Sequence, residues 1–127
     1  MSTSSLSRIE KDLLGTREIP AESYYGVQTL RAAENFNLTG ITLANYPKFV
    51  AALAMVKHAA ATANNKLGCL SDEKCQAITN ACNRIINGEY LDQFVVDMIQ
   101  GGAGTSTNMN ANEVIANVAL ESMGHQK

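Results

Sequence analysis

The 127-residue sequence predicts a mainly α-helical domain with short extended segments near its start. Three observations carry that prediction. The composition is alanine-rich and aromatic-poor, with no Trp, three Phe and four Tyr, which suits close-packed helices better than aromatic-lined strands. Apolar residues recur at helical spacing over two long segments. Those segments are bracketed by residues that start and stop helices. With 46% hydrophobic and 17% charged residues the chain can drive the collapse of one core, which excludes disorder for the bulk of it.

The organisation follows in chain order. Residues 1–7 are mostly Ser and Thr and are expected to form a disordered tail; residues 8–127 are expected to form a single domain. Arg8 to Ile19 reads as short extended pieces around a turn at Leu14-Gly15-Thr16 and is closed by Pro20. Tyr24 to Arg31 looks extended and becomes helical near Thr29, and Asn37 to Asn45, with Gly40 and β-branched Thr39, Ile41 and Thr42, is a connecting loop. A helix is predicted from Pro47 to Leu67, with Pro47 in the first turn and Gly68 at the left-handed position after its end. Its expected seam against a neighbour is Phe49, Leu53, Val56, Ala60, Ala63 and Leu67. Ser71 is a good N-cap for a second helix that carries Asp72 and Glu73 in its first turn, ends near Gly88 and presents the stripe Cys75, Ile78, Cys82, Ile85. Tyr90 to Gln100 has no helical period and reads as a buried connector, followed by a third helix from Thr107 to Met123.

Charge and cysteine usage narrow the function classes. Ten Lys and Arg against twelve Asp and Glu leave a net charge of −2, without the basic excess that nucleic-acid binding requires. No stretch approaches the ~20 apolar residues of a membrane span, and no basic and apolar leader precedes the domain, so neither a membrane nor export is expected and the cytoplasm is the expected compartment. Cys69, Cys75 and Cys82 match no metal-ligand spacing and are expected to be free thiols, with Cys75 and Cys82 packed as small apolar groups on one helical face; no metal and no organic cofactor is expected. His58 and His125 are read as structural or exposed.

One segment is hard to explain by folding alone. Gln100-Gly101-Gly102-Ala103-Gly104 is followed at once by Thr105-Ser106-Thr107-Asn108 and then by Asn110, Asn112 and Asn117. The glycines permit close approach of a ligand to the main chain, and the hydroxyl residues coincide with the start of a helix, where N–H groups lack partners and favour anions. Asn is a poor helix former, so four of them suggest that fixed amide dipoles are wanted there. A phosphate loop is excluded because no Lys follows the last Gly, and the dinucleotide fingerprint lacks its third Gly. A plain turn with a capping Thr accounts for the same residues.

The run Gly101 to Asn117 resembles the first signature region of the aspartase/fumarase superfamily. Arg8 to Pro20 and Tyr24-Tyr25-Gly26-Val27-Gln28-Thr29-Leu30-Arg31 are similar to aspartase openings, while Gln28 agrees with the class II fumarase side. The resemblance spans Arg8 to Lys127 and implies the first, mostly helical domain of a protein several times longer, which assembles as a homotetramer with active sites drawn from three chains. It implies reversible elimination of ammonia from L-aspartate to give fumarate, through an aci-carboxylate intermediate. Thr105 matches the family's substrate-contacting Thr, with Ser106, Thr107 and Asn108 as further substrate-binding candidates. Arg17 and Arg31 are candidates for a site-adjacent or regulatory anion role. The regions that hold the family's catalytic residues are absent, so no catalytic residue is assigned and this portion alone is expected to be inactive. The alternatives are the matching piece of a class II fumarase and, from another class, a non-enzymatic helical binding or assembly module. Unpartnered apolar surface is expected on the isolated piece.

Overall fold

The computed structural model describes residues 6–127 and opens on a two-stranded antiparallel hairpin, β1 (Ser7–Asp12) and β2 (Gly15–Pro20). The expected tail lies mostly outside the described residues; its last member, Ser7, pairs with Pro20 as the first residue of β1. Gly15, at φ 118°, makes the turn that the sequence places there. The hairpin is polar on its inner side. Arg8, Glu10 and Asp12 are half-buried while Ile9 points outward. Arg8 donates to the carbonyls of Pro20, Ser23 and Tyr25 at 3.2, 2.6 and 2.7 Å, and so folds the segment after β2 back over β1.

Helix α1 (Val27–Asn35) starts two residues before Thr29, earlier than expected. Its start has no local side-chain cap and is fixed from a distance by two carboxylates. A 3-10 turn at Leu43–Asn45 interrupts the expected loop, and Leu43, fully buried, donates its N–H to the Val96 carbonyl at 3.0 Å. Helix α2 (Pro47–Lys66) begins at Pro47 as expected, with Leu67 as C-cap and Gly68 at φ 74°. Helix α3 (Asp72–Ile86) is capped by the Ser71 hydroxyl, which accepts the Lys74 N–H at 3.4 Å. Helix α4 (Thr105–Ser122) starts two residues before the predicted Thr107.

The core lies where α2, α3 and α4 meet, covered by the connector between α3 and α4. Phe94 and Val96 of that connector are buried against Leu43, Val50, Ile85 and Val114. The face of α2 that enters the core is Val50, Ala54 and Ala61, one residue round from the expected seam. Of that seam only Leu53 packs against the core; Phe49, Val56 and Leu67 are 43%, 64% and 76% exposed. The helix is apolar on two adjacent faces, so spacing alone does not select between them. In α3, Cys82 and Ile85 are buried as expected, but Ala77 and Ala81 displace Cys75 and Ile78 to a half-buried position. All three cysteines are free, and burial pushes the Cys82 thiol up to about 11, which keeps it protonated and inert. No helix among the described residues is long and apolar enough to cross a membrane.

Candidate functional site

The turn before α4 is built from glycines at positive φ. Gly102 and Gly104 adopt φ 77° and 78°, and Gly104 serves as the N-cap with no side chain to close the helix start. Gly101 backs onto the Phe36 ring, where an added Cβ would come within 3.3 Å. The cap that Gly104 lacks is supplied by Gln100. Its Oε1 accepts the Thr107 N–H at 3.0 Å, its Nε2 donates to the Thr107 hydroxyl at 2.7 Å, and the same Nε2 reaches the Asp97 carbonyl at 3.3 Å. This side-chain clamp lets α4 begin at Thr105, because the N–H of its third residue is satisfied before any intrahelical partner exists.

Asp97 holds the base of the clamp. Buried and acceptor-only, it takes the N–H groups of Thr39, Gly40 and Ile99 at 2.7, 2.9 and 2.8 Å and the Thr39 hydroxyl at 2.9 Å. These donors, the Ile99 N–H foremost, lower its carboxyl from the usual aspartate range to about 2. The connector is held from its other end by Asn110, fully buried, which donates to the Gln93 carbonyl at 2.9 Å. Asn117 donates to the Tyr24 carbonyl at 2.8 Å. The fixed amides that the sequence suggests are used within the fold at these two positions: both tie the backbone of other segments to α4.

The four predicted substrate-binding residues fall into two groups. Thr107 is engaged by Gln100, and the Asn108 Oδ1 accepts a hydrogen bond from Lys57 Nζ of α2 at 2.5 Å. Thr105 is exposed and Ser106 half-buried, and among the described residues neither their N–H groups nor their hydroxyls have a hydrogen-bond partner. A carboxylate placed there would meet N–H groups at the positive end of an 18-residue helix, two hydroxyls, and a lysine one side chain away. The turn opens to solvent. Lys57, which reaches Asn108, also lines a groove of about 270 Å³ whose other walls are apolar residues and the amides Asn64 and Asn112.

Arg17 and Arg31 are brought together elsewhere, in a shallow depression with Leu14, Glu34 and Asn35. Arg31 is spent on a two-pronged pair with Asp12, at 2.8 and 2.9 Å, and on the Gly15 carbonyl at 3.1 Å; it holds the Asp12 carboxyl below its usual range. Arg17 lies 3.6 Å from Glu34, with both side chains about half exposed. Of the contributors to the turn, Lys57 and Asp97 lie outside the segment that the sequence singles out, and Gln100 opens that segment with no role of its own assigned. Lys57 carried a signal, as one of very few charges inside an alanine-rich helix, whereas Gln100 and Asp97 are ordinary loop residues until the chain is folded.

Comparison with known proteins gives a consistent result. The chain is 68% identical to the aspartate ammonia-lyase of Pseudomonas aeruginosa over all of its length, and 56% identical to that of Escherichia coli over 94% of it. It spans about a quarter of those relatives, 27% and 25% of their lengths. Among solved structures, the fumarate lyase:delta crystallin from Brucella melitensis superposes with a TM-score of 0.94 at 59% identity, covering 95% of this chain and 28% of that one. The class II fumarase from Schistosoma mansoni superposes at 0.89 and 38% identity, covering 96% of this chain and 26% of that one. A family model described as Lyase matches residues 15–127, and the chain belongs to that lyase family.

Proposed function

We propose that this chain is part of an aspartate ammonia-lyase, which reversibly eliminates ammonia from L-aspartate to give fumarate. The observation that carries the reading is the open start of α4, where Thr105 and Ser106 offer unpartnered N–H and hydroxyl donors, within a chain 68% identical to a protein of that name. Removing a Cβ proton from aspartate drives charge onto the adjacent carboxylate, and stabilising the resulting dianion is the costly step. Donors fixed in advance by a rigid turn supply several kcal/mol of such stabilisation, because they need not reorganise as the charge develops. In this scheme Thr105 is the first contact and Ser106 the second. Thr107 and Asn108 shape the turn through Gln100 and Lys57 and contact substrate from its edge. Arg17, whose only charged partner among the described residues is 3.6 Å away, is the better placed of the two arginines to attract a passing anion, and Arg31 holds the hairpin on α1.

The base that takes the proton lies outside this chain. The 127 residues alone are inactive, and the walls of the site come from the rest of the polypeptide and from other subunits of a cytoplasmic homotetramer. Class II fumarase is the second reading, favoured by Gln28 and by the superposition with the Schistosoma mansoni enzyme. Assaying the full-length parent separates them: ammonia release from L-aspartate with no hydration of fumarate to malate supports the first, and the reverse supports the second. A native product no longer than this chain would instead favour a helical binding module.

A further inference from the structure

We infer that Gln100 is a positioning and specificity residue whose neutral amide caps α4 while leaving the helix start positive, so that Thr105 and Ser106 remain available to a carboxylate. The inference rests on the reading of that turn as a substrate-carboxylate site. A helix start is commonly closed by an acidic side chain, which satisfies N–H groups and favours the dipole at once. Here that solution would defeat the site, since a carboxylate on Thr107 would stand next to the substrate's own and repel it. The geometry around Gln100 selects an amide specifically. Its oxygen accepts from the Thr107 N–H, and both hydrogens of its Nε2 are used, one on the Thr107 hydroxyl and one on the Asp97 carbonyl. A carboxylate in the same place would set an oxygen against the Asp97 carbonyl oxygen, 3.3 Å from the present nitrogen. The cap is also rigidly seated, because Asp97 is locked by four donors from Thr39, Gly40 and Ile99. Gln100 thus takes up one helix N–H and leaves the two before it, of Thr105 and Ser106, to the ligand.

The test uses the full-length parent enzyme with Gln100→Glu and Gln100→Met, L-aspartate as substrate and succinate as a competitive dicarboxylate. Gln100→Glu should raise the KM for aspartate and the Ki for succinate about tenfold or more, the loss falling on KM rather than kcat. Gln100→Met removes the clamp without adding charge, and should move KM by less than about threefold while lowering kcat. Equal KM values for the two variants, or unchanged succinate binding by Gln100→Glu, would overturn the inference. Backbone hydrogen exchange of the unmodified enzyme gives a readout that survives misfolding of either variant. The Thr107 amide should exchange slowly with or without succinate, and those of Thr105 and Ser106 should slow only when succinate is present; a fast Thr107 amide in the free enzyme would overturn the inference. A parent that releases no ammonia from aspartate defeats the functional reading itself, whereas an active parent with a silent Gln100→Glu defeats only the role of Gln100.

Discussion

Helices α1 and α4 both begin at a glycine with no side-chain cap of its own, yet one start is filled and the other is open. At α1, the Glu113 carboxylate accepts the N–H groups of Gly26, Gln28 and Thr29 at 2.9, 2.9 and 3.0 Å, and Glu10 accepts that of Val27 at 2.8 Å. The two acids crowd the backbone so closely that a Cβ on Gly26 would meet their atoms at 2.8 Å, which is why that position needs glycine. At α4 the single cap is the uncharged Gln100, and the first two N–H groups have no partner among the described residues. The chain contains the acids to fill both starts and fills one. On the proposed reading of α4, helix polarity alone does not make an anion site: the protein's own carboxylates must also be kept out of it.

The contrast can be broken first at α1. Glu113→Ala leaves three N–H groups without their acceptor and should cost about 3 kcal/mol in urea unfolding of the chain, with Glu113→Gln, which keeps one oxygen, costing about half as much. Next comes the tie that holds the connector to α4. Asn110→Ala removes the donor to the Gln93 carbonyl inside the core and should cost about 2 kcal/mol by the same measurement.

Asp97, which seats the neutral cap, sharpens the contrast through pH. Its carboxyl is lower in the folded than in the unfolded chain, so its contribution is complete above about pH 4 and disappears as the pH falls through about 2. Unfolding monitored across that window should show an acid loss of stability that is smaller in Asp97→Asn, where only the other depressed carboxyls, Asp12 among them, still contribute. The smallest effect is expected at the uncovered face of α2. Phe49→Ser should change the stability of this chain by less than about 0.5 kcal/mol, because Phe49 is 43% exposed and outside the core. A loss of several times that size would return Phe49 to the seam that the spacing first suggested.

These regions also differ in how much of them could be read from sequence. The ends of α2 and α3 were legible because Pro47, Gly68, Ser71 and Gly88 act on their immediate neighbours. The starts of α1 and α4 were misplaced by two residues each, since Glu113 and Gln100 act across 84 and seven positions of chain, where no local pattern points to them. Glu113 in particular reads as an ordinary solvated acid in the middle of a helix. The turn from Gly101 to Asn108 stood out by composition, but the division of its hydroxyl residues into engaged Thr107 and free Thr105 and Ser106 did not. That division is set by which side chains reach them in the folded chain.

The most direct test of the open start at α4 is the effect of Thr105→Val on catalysis by the full-length parent. The substitution keeps size and β-branching and removes only the hydroxyl. A fall in kcat/KM for L-aspartate of about 100-fold or more, with thermal stability unchanged, is the result predicted; a kcat/KM within about twofold of the unmodified enzyme would contradict the account.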